Sequence, residues 1–187
     1  MILPVYAYGQ PVLKKVAKPI EKNHPNLEAL IENMWGTMYK AEGVGIAAPQ
    51  VGKSIRLFVI DTIQVFEDDE ETEEEGFKRV FINAEKIEET GEEWEYEEGC
   101  LSIPDIRGDV TRPRQLKMRW VDENFEPHEE IFNGINARVV QHEYDHLEGV
   151  LFTEKLKPLK KSLIKRKLSK IRKGKIKVDY KMKFSPK

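Results

Sequence analysis

Residues 142–146 read His-Glu-Tyr-Asp-His, an HExxH pentad, and no other stretch constrains the fold as strongly. Two histidines four apart share one face of a helix, about one turn apart, so their imidazoles can converge on one metal ion. The glutamate beside the first histidine then stands where it can handle a proton on a metal-bound water. The alternative is a solvated helix that happens to carry two histidines. A hydrolytic site of the zinc type needs three protein ligands and one open position. The pentad supplies two, and the place of the third decides what the chain does.

Length and composition bound the rest. The 187 residues, 40% hydrophobic and 34% charged, describe one globular domain with room for a buried core. No apolar run approaches the length of a membrane span. The start, MILPVYAYGQPVLKK, lacks the basic-then-apolar layout of a signal peptide, so no membrane association and a cytoplasmic location are expected. Cys100 is the single cysteine, which excludes an intramolecular disulfide. Charge is divided unevenly. Residues 154–187 carry 15 of the 31 Lys/Arg and 2 of the 33 Asp/Glu, a net +13 against −15 for the remainder. Such a segment is drawn to a polyanion such as RNA, or is simply a solvated helix face.

Periodicity predicts helices over 26–41, 135–148 and 158–173. In the first, Leu27, Leu30, Ile31, Met34 and Met38 form one stripe; in the last, Leu159, Leu163, Ile164, Leu168 and Ile171 do. Strands are expected at Ile55–Asp61, Arg79–Asn83, Glu93–Glu97, Lys117–Val121 and Glu129–Phe132. An alternating run, Lys175–Met182, closes the chain. Strands this close together favour antiparallel pairing over βαβ crossovers. Positions 67–75 hold eight acidic residues out of nine and read as a surface insertion. The expected fold is α+β, a single domain over 1–187 with antiparallel sheets around a central helix carrying HExxH. The basic segment 154–187 is a C-terminal helix-and-strand extension.

No histidine follows His146, and Glu148, Glu154 and Asp179 are the only downstream acids. Glu148 lies on the wrong helical face, and the other two lie in the basic tail. The downstream-ligand pattern of common HExxH peptidases therefore fails. Upstream stand His24, His128 and Cys100. The histidines have turn-like neighbours (KNHPN and EPHEE). Cys100 sits in Glu98-Gly99-Cys100-Leu101-Ser102, a turn after a strand, where a thiolate would be a strong ligand. A competing reading makes Cys100 a nucleophile activated by His142, which leaves His146 and Glu143 without a role.

Three segments together resemble the hallmark motifs of the peptide deformylases. They are Gly43-Val44-Gly45-Ile46-Ala47-Ala48-Pro49-Gln50, Glu98-Gly99-Cys100-Leu101-Ser102 and Gln141-His142-Glu143-Tyr144-Asp145-His146. The resemblance runs from residue 1 to about 155. It implies that Cys100, His142 and His146 bind the metal, Fe2+ in the cell, with Zn2+, Ni2+ or Co2+ possible after purification. It implies a metal-bound water as nucleophile and Glu143 as general base and then acid. The substrate would be an N-formylmethionyl nascent peptide, and formate the product. The Gln50 side-chain amide and the Leu101 N–H would stabilise the oxyanion, and Gly45, Ile46 and Gly99 would contact the substrate backbone.

The residues themselves add to this. An extended stretch at 43–46 offers free backbone groups for strand addition by a peptide. Ile135, Arg138 and Val139 share the helix face of His142. With Val44, Ile135 and Val139 would wall an apolar pocket for the methionine side chain. Arg138 either borders that pocket by its stem or forms a surface ion pair. Asp145, Glu98 and Arg112 are candidates for orienting the ligands. An endopeptidase and a ribosome- or RNA-binding protein are the rival readings. The second is compatible with the first, since the basic tail would place an enzyme of nascent chains near the ribosome.

Overall fold

A computed structural model describes residues 1–67 and 74–186. The acidic block at 67–75 falls largely outside them. In chain order the elements are β1 (Val5–Tyr6), α1 (Leu27–Lys40), β2 (Gly45–Ala47), β3 (Leu57–Asp61) and the single turn α2 (Ile63–Phe66). There follow β4 (Lys78–Cys100), β5 (Ile103–Val121), β6 (Pro127–Asn133), α3 (Gly134–Leu147), α4 (Pro158–Arg172) and β7 (Met182–Lys183). Strands β2-β3-β4-β5-β6 form an antiparallel five-stranded sheet in that order. The small second sheet departs from the expected antiparallel pairing, because β1 and β7 run parallel.

The apolar run of β3 is buried on both faces, and its alternation assigns each residue to a layer. Leu57 and Val59 join Leu27, Ile31, Met34 and Met38 of α1 in one cluster. Phe58 and Ile60 join Phe81, Leu116, Phe132 and, from α3, Ala137, Val140 and Leu147 in another. The sheet thus lies between α1 and α3. A third cluster packs Ile164 and Ile171 of α4 against Ile103, Ile106 and Val110 of β5, and against Leu151 and Phe152.

Three expectations are corrected. Arg79–Asn83 and Glu93–Glu97 are not separate strands but parts of β4, which pairs with β5 through several bulges. Between them the strand is mostly exposed and charged, and each bulge resets the face, so no two-residue alternation survives to be read. In the tail, Ile176, Val178, Tyr180 and Met182 do alternate half-buried with exposed neighbours. Only Met182–Lys183 has a partner strand, because β1 offers just two residues. Leu159 and Leu163 do not share the buried stripe of α4 and are 73% and 69% exposed; the first turns stand clear of the cluster that Ile164 and Ile171 enter.

Candidate metal centre and substrate cleft

Helix α3 forms the floor of the site. It begins at Gly134 and ends where Gly149 takes a left-handed φ of 71°. A side chain there would strike the Lys14 backbone at 2.7 Å, so glycine suits the position on both counts. His142 and His146 lie one turn apart with ring centroids separated by 5.2 Å. Across from them, the tip of the β4–β5 hairpin carries Cys100. The ligand atoms of Cys100, His142 and His146 lie within 4.8 Å of one another, and Cys100 Sγ is 3.5 Å from His146 Nε2. A thiolate and two imidazoles at this separation fit one divalent ion of the zinc, iron, cobalt or nickel kind.

The ligands are held from behind by a buried ionic network. His142 Nδ1 meets Glu98 Oε1 at 2.8 Å, which leaves its Nε2 for the centre. The Glu98 carboxylate also accepts from Arg112 Nε at 2.8 Å, Arg112 Nη2 at 3.0 Å and Arg138 Nη1 at 2.9 Å. Arg112 donates in addition to Asp145 Oδ2 at 2.8 Å. Burial alone would raise the Glu98 carboxyl, but the hydrogen bonds of His142 and Arg112 outweigh it and hold Glu98 far below the usual carboxylate range. Arg138 borders the cleft, as one expectation had it, but its ion pair is buried and not on the surface. It is 2% exposed, bonded to Glu98 and to the carbonyls of Val110 and Trp94.

The two histidines are tuned in opposite directions. Burial would lower His142, yet the hydrogen bonds of Cys100 and Glu98 leave it well above the ordinary imidazole range. Burial, aided by the charges of His142 and Arg112, drives His146 well below it. Glu143 is 4% exposed, and Oε2 has no hydrogen-bond partner among the described residues. Burial, chiefly, pushes its carboxyl up to about 7, with His142 opposing and Glu98 assisting. A carboxylate with an unused acceptor oxygen and a pKa near neutrality can both take and return a proton.

Above the centre lies a cleft of about 670 Å³. Val44, Gly45, Gly99, Ile135 and Val139 line it, as do Gln50, Cys100, Leu101, His142 and Glu143. Ile46 does not: its side chain is wholly buried in the core, and only its backbone, in β2, is near. That strand is the edge of the sheet, with Gly45–Ala47 paired to β3 on one side only. Gln50 is 1% exposed; Oε1 accepts from Ala47 N–H at 2.9 Å, and Nε2 points to Cys100 Sγ at 3.4 Å and Ser102 Oγ at 3.2 Å. His24 and His128 take no part; His128 is exposed and bound to Asp122 at 2.7 Å.

Sequence reasoning missed two contributors. Ser102, fully buried, carries the Gln50 amide; its place in the second motif was a signal that went unused. Lys177–Tyr180, from the C-terminal segment, border the cleft, and no local pattern in the sequence points there.

Comparison with known proteins identifies the family. The model of the family described as polypeptide deformylase matches residues 2–162. The peptide deformylase of Christiangramia forsetii is 58% identical over 98% of this chain and 96% of its own length. That of Flavobacterium psychrophilum is 53% identical over 100% and 99%. Among solved structures, a peptide deformylase from Legionella pneumophila superposes with a TM-score of 0.79 at 38% identity, covering 94% of this chain and 98% of its own. The Plasmodium falciparum enzyme gives 0.81 at 32% identity, covering 91% and 95%. The motifs, the fold and the full-length likeness converge: the chain belongs to the polypeptide deformylase family.

Proposed function

We propose that this deformylase removes the formyl group from N-formylmethionyl nascent peptides by metal-assisted hydrolysis, with Glu143 as the proton-transferring group. One observation carries the reading. Three ligand atoms within 4.8 Å of each other lie beside a buried carboxylate with an unused oxygen, at the floor of a cleft bordered by the edge strand of the sheet. The proposed ion is Fe2+, as the motif resemblance implies, although Zn2+, Ni2+ and Co2+ suit the same donors. Such an ion supplies a Lewis acid that acidifies the attacking water and polarises the formyl oxygen.

The protein supplies the remainder. The substrate backbone adds to the free edge of β2 at Val44–Ile46, with Gly99 on the opposite wall. Backbone pairing is indifferent to side chains, which suits an enzyme of many nascent sequences. Val44, Ile135 and Val139 receive the methionine side chain. Glu143 takes a proton from the attacking water as its oxygen bonds to the formyl carbon. The Leu101 N–H and the Gln50 amide donate to the developing oxyanion. Glu143 then delivers the proton to the leaving nitrogen, the C–N bond breaks, and formate departs.

The test is Glu143→Gln, purified anaerobically and assayed for formate release from formyl-Met-Ala-Ser. Activity is expected to fall by about 10²–10⁴-fold, with metal content unchanged. Full activity in that variant would sink the mechanism. The exposed cations of α4, among them Lys160, Lys161, Lys165 and Arg166, support a further contact with ribosomal RNA in the cytoplasm.

A further inference from the structure

The β4–β5 hairpin turns through Cys100-Leu101-Ser102-Ile103, with Cys100 paired to Ile103. Leu101 and Ser102 therefore lie outside the ladder, and their carbonyls need partners from elsewhere. The Ser102 carbonyl accepts from the Tyr8 N–H at 2.8 Å. The Leu101 carbonyl accepts from the Tyr180 hydroxyl at 2.7 Å, across a sequence separation of 79 residues. The segment bearing Tyr180 is tied down immediately afterwards. Met182 and Lys183 pair with Val5 and Tyr6, and the Phe184 carbonyl accepts from Gln10 Nε2 at 2.7 Å. Burial, with the charges of Cys100 and Asp105 adding, raises the Tyr180 phenol, so the hydroxyl remains a donor.

The Leu101 carbonyl belongs to the central peptide of the two-residue turn, the unit whose rotation interconverts turn types. On one side of that peptide is Leu101, which lines the cleft and whose N–H is the proposed oxyanion donor. On the other is Ser102, whose hydroxyl carries the Gln50 amide. Displacement of this peptide would carry the Cα atoms of Leu101 and Ser102 with it, and so would move the Leu101 N–H and the Ser102 hydroxyl that holds the Gln50 amide. We propose that Tyr180 is a positioning residue: its hydroxyl locks the central Leu101–Ser102 peptide and so keeps both oxyanion donors aimed at the formyl oxygen. The C-terminal segment, outside the span the family model matches, is thus part of the catalytic apparatus.

The inference rests on the mechanism above, and full-length, metal-loaded enzyme tests the two separately. Wild type must release formate and Glu143→Gln must not; failure there overturns the mechanism itself. Tyr180→Phe removes only the hydroxyl. We expect kcat to fall roughly tenfold or more, since small misplacements near the chemistry are costly, with KM within about twofold and Tm lowered by no more than about 4 °C. Affinity for a peptidyl H-phosphonate, which imitates the tetrahedral formyl carbon, should drop by the same factor as kcat/KM, while affinity for the Met-Ala-Ser product holds. Unchanged kcat with a lowered Tm would make Tyr180 a mere anchor for the tail. Equal losses for phosphonate and product would overturn the proposal as well.

Discussion

At the scale of single residues, the site depends on what is absent as much as on what is present. Gly45 lies in the edge strand with Glu143 directly behind it: a Cβ added at this position would come within 2.7 Å of Glu143 Oε1 and 2.8 Å of its Cγ. Glu143 is buried and has little room to retreat. Gly45→Ala is therefore expected to displace the carboxylate and to lower kcat by about a hundredfold, the cost of an ångström-scale error at the reacting centre. Metal content should be unaltered. Activity within twofold of wild type would show that Glu143 has an alternative position from which it works equally well. The pentad and its neighbours disclosed Glu143, His142 and His146 by spacing alone. Gly45 was legible only as a motif letter, because the clash that requires it crosses from β2 to α3.

At the scale of elements, β4, β5 and α3 are joined by buried charge. Glu98 of β4, Arg112 of β5 and Asp145 of α3 are linked by hydrogen bonds of 2.8–3.0 Å. A depressed carboxyl stabilises the fold above its unfolded value, near 4.5, and that stabilisation drains away as pH falls toward the folded value. Arg112→Met removes two donors to Glu98, so the folded value rises and the margin narrows. We expect the chelated variant to lose about 3–5 kcal/mol at neutral pH and to unfold at higher pH than wild type on acid titration by circular dichroism. An unchanged acid midpoint would mean that Arg138 and His142 hold Glu98 unaided. Sequence exposed these three charges as candidates without revealing that they meet, because their partners are 14 and 33 positions apart.

At the scale of the whole molecule, the basic tail combines exposed charge with residues that complete the core. Leu156, Ile164 and Ile171 are buried in the third cluster, and Tyr180 reaches the active site. Deleting residues beyond Phe152 would therefore remove core and would not report on binding alone. A cleaner probe reverses exposed charge: Lys160, Lys161, Lys165 and Lys167 of α4, all exposed, changed together to Glu. If α4 contacts ribosomal RNA, ribosome affinity in 50 mM salt should drop and its dependence on salt should flatten. Formate release from a tripeptide should be unaffected. Unchanged ribosome binding at low salt would leave the charge as a solvated face.

What the sequence by itself determined is local. Helical spacing placed both histidines on one face with Glu143 beside the first, and the apolar run within Ile55–Asp61 marked a strand. The turn around Cys100 was visible as well. The meeting of Cys100 with the histidines was implied by the motif resemblance, whereas tertiary structure alone decided the others: Arg138 on Glu98 in place of solvent, and Tyr180 on the Leu101 carbonyl. Periodicity reports the face a residue occupies within its own element. It carries no information about the partner across the gap, and that partner is chosen when the layers pack.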